Sequence, residues 1–317
     1  MAGRYPGGAR FAFTIFDDTD DATVENVAPV YALLRELGMR TTKTVWPLPC
    51  PEGSKLFFAG QTLADPEYAA FVRKLASQGF EIAFHCATME SSTRERVLEG
   101  LEAFRRFTGS WPRAHANHAH NRENLYWGAD RVDFAPVRLF YRLTNGHSGD
   151  WFQGHVPGSS YWWGDVCRER IEYVRNLTFD EVNLLRINPS MPYHDPSRPH
   201  VRWWFSATDA EDCRAFNYIL SEAAQDRLAN EGGVCIVATH LGKGFCRDGR
   251  VDPRTEHLLR RLASLGGWFP TVSELLDWLR QQRNGEATLP AAEWRSMQVR
   301  WAVDLVKRRL RSWADCW

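Results

Sequence analysis

The sequence predicts an α/β fold built on a mostly parallel sheet, closed or wound, and three observations predict it. Short apolar runs alternate with segments whose apolar residues recur at helical spacing. Polar clusters stand directly after three of those runs, at Asp17–Asp18, at His85 and at His240. Folds of this class gather their functional groups there, at the carboxyl ends of strands. No fixed-period repeat suggests another architecture.

The first run, Phe11 to Phe16, reads FAFTIF and ends in two carboxylates. Side chains alternate along a strand, but a turn at its end lets Asp17 and Asp18 enter one cleft. A helix follows, with Thr23 as N-cap, Val27, Val30, Tyr31, Leu34 and Leu37 on its apolar face, and Gly38 as C-cap. Asp20 and Asp21 lie before that helix and suit its positive N-terminus. Met39 to Trp46 reads as the second strand and Pro47 to Gly60 as a loop. Asp65 and Pro66 open a helix that reaches about Gln78. Phe80 to Phe84 is the third strand and delivers His85. Ser91 or Ser92 starts the next helix, which Gly109 stops.

From Trp111 to Asp130 the periodicity fades into a stretch with three histidines and three asparagines. Beyond it a short strand is expected within Asp133–Tyr141, and a long excursion over Gly146–Gly164. Strands are expected at Leu184–Asn188 and Val201–Phe205. One helix should span Glu211–Asn230, and a buried strand Val234–Thr239, ending at His240. Helices from about Asp252 to Leu265, and after Thr271 or Ser273, complete the core. Gln281–Pro290 reads as a polar linker and Ala291–Trp317 as an amphipathic helix that covers the barrel or meets a partner, a second copy included. The expected organisation is a catalytic domain over 1–280, with an insert around 130–200, then the linker and helix of 281–317.

Composition narrows the class. The chain has 317 residues, with 44% hydrophobic and 25% charged, as globular proteins do. Thirty-nine cations balance 39 carboxylates, so net charge steers it toward neither nucleic acid nor an anionic membrane. No apolar stretch is long enough to span a membrane, and the N-terminus does not read as a signal peptide. Seven cysteines without a CxxC pair fit a reducing cytoplasm better than a disulfide framework. No GxGxxG or GKS/GKT signature supports a nucleotide cofactor. Fourteen tryptophans leave room for a flat, sugar-binding surface; Trp127, Trp151, Trp162 and Trp163 are candidates, with core packing the alternative.

The residue types at the strand ends suit metal-assisted acid–base chemistry. Two adjacent carboxylates resist carrying full charge together, so a cation or an asymmetric proton is expected beside them. His85 lines up with Asp18 as a ligand. Among His115, His118 and His120, the second is the first choice for a further ligand and the third the next. Carboxylate and imidazole suit zinc or another divalent transition ion. Asn117, Asn121, Glu123 and Asn124 could fix that loop or touch substrate, and Thr88 could orient the ligands. His240 titrates near neutrality and is a candidate general acid. Asp209 or Glu211 could orient a histidine. His147, His155, His194, His200 and Arg113 are suspected by position alone.

At this point the chain resembles the polysaccharide deacetylases, the NodB-homology family. FTIFDD at Phe13–Asp18 is similar to that family's first motif, and GFEIAFH at Gly79–His85 to its second. FTGSWPR at Phe107–Arg113 resembles the approach to its third, CIVATH at Cys235–His240 its last, and WFPTVSELLDWL at Trp268–Leu279 its ending. The resemblance covers roughly residues 10–280. It implies a distorted (β/α)7 barrel and metal-dependent hydrolysis of an N-acetyl group. Asp17 would be the base, His240 the acid, and Asp18 and His85 metal ligands. The family's second motif normally carries another histidine four residues after the first, where Met89 stands here. A histidine of the 115–120 loop, His118 before His120, would replace it.

The expected activity is thus removal of an N-acetyl group from an amino sugar or glycan precursor, with a divalent ion, zinc for choice, in the cytoplasm. Hydrolysis of another C–N bond, in a small amide, imide or formamide, is the alternative within enzymes. A non-catalytic carbohydrate-binding or assembly protein is the alternative outside them.

Overall fold

Seven parallel strands close on themselves. The computed structural model describes residues 3–54, 60–144, 150–283 and 288–314. The barrel strands are β1 (Ala12–Asp17), β2 (Thr42–Val45), β3 (Glu81–Phe84), β4 (Ala114–His115), β5 (Tyr173–Phe179), β6 (Trp203–Asp209) and β7 (Val234–Thr239). They pair in sequence order, and β7 returns to β1, Ala12 opposite Val234 and Asp17 opposite Thr239. The β3–β4 seam is a single pair, Phe84 with His115. This is the (β/α)7 barrel expected above.

Helices α1 (Val24–Glu36), α2 (Pro66–Ser77) and α3 (Arg94–Thr108) follow the first three strands. Thr23 and Asn26 form a reciprocal capping box on α1. Next come α4 (Ala135–Thr144) and α5 (Gly164–Arg170), both in the insert, then α6 (Cys213–Ile219) and α7 (Glu222–Glu231). A two-stranded hairpin, β8 (Cys246–Arg247) with β9 (Arg250–Val251), precedes α8 (Pro253–Ser264), α9 (Val272–Gln281) and α10 (Ala291–Ala314). Thr271 caps α9 in a second capping box with Glu274. Strands β1 and β7 are buried on both faces, as apolar runs between a barrel interior and a helix layer must be. The six cysteines among the described residues are free thiols. None of the described helices is long and apolar enough to cross a membrane.

Three expectations need correction, and one strand was not foreseen. Asp133–Tyr141 holds no strand: its apolar side chains recur three and four apart, and the segment forms α4. Leu184–Asn188 contains a short 3-10 turn, Leu184–Arg186, which the Asn183 side chain caps at the Leu185 amide. The helix foreseen over Glu211–Asn230 is two helices broken at Leu220–Ser221, and Gln225 Nε2 donates to the freed Leu220 carbonyl at 3.0 Å. Strand β5 went unforeseen. It reads YVRNLTF, and its Arg and Asn break the apolar run because their side chains point to polar partners inside the molecule, Asp18 and the Tyr193 hydroxyl. The excursion 146–164, the linker 281–290 and the last helix each fall partly outside the described residues, and His147 wholly so.

The last helix lies against the barrel. Trp294, Met297 and Trp301 are buried, and Gln298 accepts from the Asp133 and Phe134 amides at 2.8 Å.

Candidate active site

Strand β1 sends its two terminal carboxylates to opposite sides. Phe16 faces the barrel interior, its ring 5.6 Å from that of Phe205. Asp18 shares that side by the two-residue period and accepts both arms of Arg175 on β5, at 2.9 and 2.6 Å. Burial favours the neutral acid, but the guanidinium, with His85 and His240 behind it, holds the Asp18 carboxyl below its usual range. Asp17 turns outward beneath α1. Its Oδ2 accepts from the Tyr31 hydroxyl at 2.8 Å and lies 2.9 Å from the Lys43 ammonium on β2. Its Oδ1 accepts from the Leu241 amide at 2.8 Å. Burial disfavours a charged Lys43, yet the Asp17 carboxylate beside it keeps its pKa raised. The two carboxylates therefore do not share a cleft. The Asp18 amide still donates to Thr239 O at 2.8 Å, so strand alternation persists through both residues.

A different carboxylate meets the histidines. Asp20, read above as a helper of the α1 N-terminus, lies 3.3 Å by Oδ1 from His85 Nε2 and 3.4 Å by Oδ2 from His118 Nε2. Asp20, His85 and His118 offer ligand atoms within 4.8 Å of one another, and all three are buried. Asp18 and His120 are outside this group. His120 is exposed, and its carbonyl accepts from the Trp151 indole at 2.7 Å. The residue after each member of the group, Asp21, Cys86 and Ala119, has a positive φ of 59°, 63° and 35°. Left-handed backbone at a non-glycine residue costs roughly 1–3 kcal/mol, and here it follows all three. It turns the chain directly after each ligand atom is delivered.

The donor set fits a divalent ion. Asp20 Oδ1 and His85 Nε2 are buried and face each other, yet neither makes a hydrogen bond to a described group. Burial lowers the His85 pKa, which leaves the neutral imidazole that coordination needs. Burial works against ionised Asp20, but the three histidines around it lower its carboxyl well below the ordinary value. One carboxylate with two imidazoles is a donor set for zinc or a neighbouring transition ion.

A supporting shell orients these groups. His85 Nδ1 lies 3.1 Å from Ala116 O, so its proton goes there and Nε2 turns to the cluster. His118 Nδ1 lies 3.3 Å from Asn121 Oδ1; Asn121 donates to Glu123 Oε1 at 3.0 Å, and the Ser92 amide donates to Glu123 Oε2 at 3.0 Å. Burial pushes the Glu123 carboxyl up to about 7 against those donors. The Trp46 ring stacks on His85, with centroids 6.2 Å apart, and meets His118 edge-on at 5.4 Å.

His240 stands at the rim, its Nε2 3.5 Å from Asp20 Oδ2 and 3.9 Å from Asp18 Oδ2. Its Nδ1 lies 2.6 Å from the Glu211 carbonyl. A backbone carbonyl, and not the carboxylate of Asp209 or Glu211, orients this ring. Burial opposes its charged form, but the hydrogen bond to Asp20 and the Asp18 charge raise its pKa. Close backbone packing holds the loop after β7 against the acidic turn, since a Cβ on Gly242 would stand 2.6 Å from the Asp21 backbone.

The other suspected residues lie elsewhere. His115 is buried between Phe84 O at 3.0 Å and Asn117 Oδ1 at 3.3 Å, and burial lowers its pKa to about 3. Thr88 donates to Pro49 O at 3.2 Å. Met89 is buried and outside the ligand group. Arg113 pairs with Glu172 and, at 2.8 Å, with Asp277 at the amino end of the barrel. Trp163 is buried and donates to Glu123 O at 2.7 Å.

Sequence reasoning missed Lys43, Arg175, Tyr31 and Trp46, and misplaced Asp20. Lys43 did carry a signal, as the single cation of an otherwise unionised run, TTKTVW, in a strand expected to be buried. Arg175 carried none while its strand was unrecognised.

No family model matches the sequence, and no curated protein does. Solved structures do. A structure from Mycobacterium smegmatis assigned to the polysaccharide deacetylases superposes with a TM-score of 0.50 at 12% identity, covering 91% of this chain and 96% of that one. One from Pseudomonas aeruginosa PAO1 with the same assignment gives 0.50 at 15% identity, over 89% of this chain and 95% of that one. At these identities the likeness carries the fold.

Proposed function

From a barrel with the polysaccharide-deacetylase fold, we propose that this chain is a metal-dependent hydrolase that removes an N-acetyl group from an amino sugar or glycan precursor. The observation that carries the reading is the buried Asp20–His85–His118 group at the carboxyl end of the barrel, with His240 and the Asp18–Arg175 pair beside it. A divalent ion held by those three side chains, zinc for choice, would polarise an acyl carbonyl and lower the pKa of a water bound to it.

The chain's own groups divide the remaining work. Asp18 is ionised, fixed by two Arg175 hydrogen bonds and turned into the barrel mouth, so it accepts a proton from water there. Asp17 was expected in that role. It is fully buried and its oxygens take the Tyr31 hydroxyl, the Lys43 ammonium and the Leu241 amide, on the side of the strand away from Asp18. His240 has its Nδ1 proton committed to Glu211 O and its Nε2 at the rim. In the charged form, which its raised pKa favours, it hands the Nε2 proton to a leaving amine. Arg175 keeps Asp18 charged and in place.

Metal content and hydrolysis of a panel of N-acetylated sugars and small amides test the reading. The full chain should bind about one equivalent of a divalent ion and release acetate from an acetylated sugar. His85→Ala and Asp20→Asn should lose both. Metal that survives the loss of His85, or full turnover after exhaustive chelation, overturns it. Preference for small amides over every acetylated sugar keeps the metal chemistry and replaces the substrate.

A further inference from the structure

Helices α4 and α10 run side by side in the same direction. The Gln298 side chain accepts from the Phe134 amide, Tyr141 stacks on Trp301 at 5.4 Å, and Arg309 donates to Thr144 O at 3.1 Å. On the inner side Val137 of α4 and Trp294, Met297 and Trp301 of α10 are buried. The outer face is apolar: Leu139 and Leu143 from α4, with Val299, Val303, Val306 and Leu310 from α10. The spacings are four on α4 and four, three and four on α10, so each set forms one stripe, and the anchors just described place the stripes alongside each other. These six account for most of the large apolar side chains that the described residues leave exposed, up to 77% for Leu143 and 65% for Leu310. Dispersed exposed aliphatics need no explanation, whereas a contiguous set marks a docking face.

Charge selects the occupant. Among the described residues, every exposed ionisable side chain on the two helices is a cation: Arg142, Arg295, Lys307 and Arg309. The acids of α10 are turned inward, Asp304 to the Asp180 amide, Arg300 and, at 3.7 Å, Lys307, and Glu293 to Ser190. The neutral total of the whole chain conceals this local excess. A second copy docked through this face would set cations against cations, which argues against self-association. A protein partner's contact face is usually centred on aromatic anchors, and these stripes carry only aliphatic residues. Aliphatic side chains rimmed by cations match an acyl boundary beneath anionic headgroups.

We infer that the α4–α10 face docks on the surface of a membrane containing anionic phospholipid, without spanning it. The inference is independent of the hydrolase reading. The second half of α10 is tied to the carboxyl ends of β5 and β6, Asp180 accepting from Arg311 and Asp209 from Arg308. That is the end of the barrel that bears the Asp20–His85–His118 group.

Co-sedimentation of the full chain with phosphatidylglycerol–phosphatidylcholine vesicles, against phosphatidylcholine alone, tests this. Binding should require the anionic lipid and weaken with added salt. Removing a cation in Arg142→Ala or Arg295→Ala should lower the partition coefficient about fivefold each. Leu143→Asp and Val303→Asp should abolish sedimentation, with circular dichroism and metal content unchanged because both sites are exposed. Equal binding to phosphatidylcholine alone, no binding to either vesicle, or lipid-free dimerisation that Val303→Asp destroys would each overturn the inference.

Discussion

Replacing Asp17 by Asn should destabilise the fold far more than it disturbs the metal group. The Lys43 ammonium lies 2.9 Å from Asp17 Oδ2, and both side chains are wholly buried. At an effective dielectric constant of about 20, that separation corresponds to an attraction of about 6 kcal/mol. Asn is nearly isosteric and its single oxygen can still accept from the Leu241 amide, so the change strands the cation, and the Tyr31 hydroxyl beside it, without opening a cavity. Removing one partner of a buried pair costs about 3–5 kcal/mol. With an unfolding entropy of about 2.1 cal/mol/K per residue over 317 residues, a loss of about 4 kcal/mol lowers Tm by about 6 °C. Removing both charges, in Asp17→Asn with Lys43→Met, should restore most of that stability, because no buried charge is left uncompensated. Thermal melts give the midpoints of wild type, single and double variants, and calorimetric titration gives metal affinity. Asp17 touches none of Asp20, His85 and His118, so the double variant should bind metal like wild type and recover a substantial part of turnover. An Asp17→Asn protein with wild-type stability and no turnover, not rescued by Lys43→Met, would refute this reasoning and return Asp17 to the role of base.

Three further outcomes are expected. Burial lifts the Glu123 carboxyl from 4.5 to about 7, so the folded chain keeps a proton that the unfolded chain releases. That contribution, about 3 kcal/mol, is complete below pH 4.5 and lost as pH rises through 7. In chelator, the urea midpoint of wild type should therefore fall between pH 5 and 7 relative to Glu123→Gln, and equal pH profiles would count against it. Asn121→Ala frees His118 Nδ1 and should weaken metal affinity about 10- to 100-fold while His85 stays in place; unchanged affinity in a calorimetric titration would remove Asn121 from the supporting shell. Arg175→Met leaves Asp18 without its guanidinium, so metal content should persist while turnover falls about 100-fold or more and its acidic limb moves to higher pH as the Asp18 carboxyl rises. A variant with a wild-type pH–rate profile would show that Asp18 is not the base.

The alternation of apolar runs and helical patterns was enough to determine a parallel barrel, because burial on both faces forces β1, β3 and β7 into continuous apolar runs with a polar residue at each mouth. His85 and His240 were legible for that reason: each directly follows such a run, and strand ends converge whatever the loops do. Thr23 and Thr271 were equally legible, since a cap is a local device read three residues at a time. What tertiary structure decided was the direction in which each carboxylate points. Asp17, Asp18 and Asp20 lie within four residues, and sequence spacing alone does not assign one to Lys43, one to Arg175 and one to the histidines. Lys43 and Arg175 come from β2 and β5, far along the chain, and a buried charge turns to whichever opposite charge the closed barrel brings within reach. The α4–α10 face was beyond the sequence for a similar reason. Its two stripes lie 156 or more positions apart along the chain, and their cations are cancelled in the chain total by acids elsewhere.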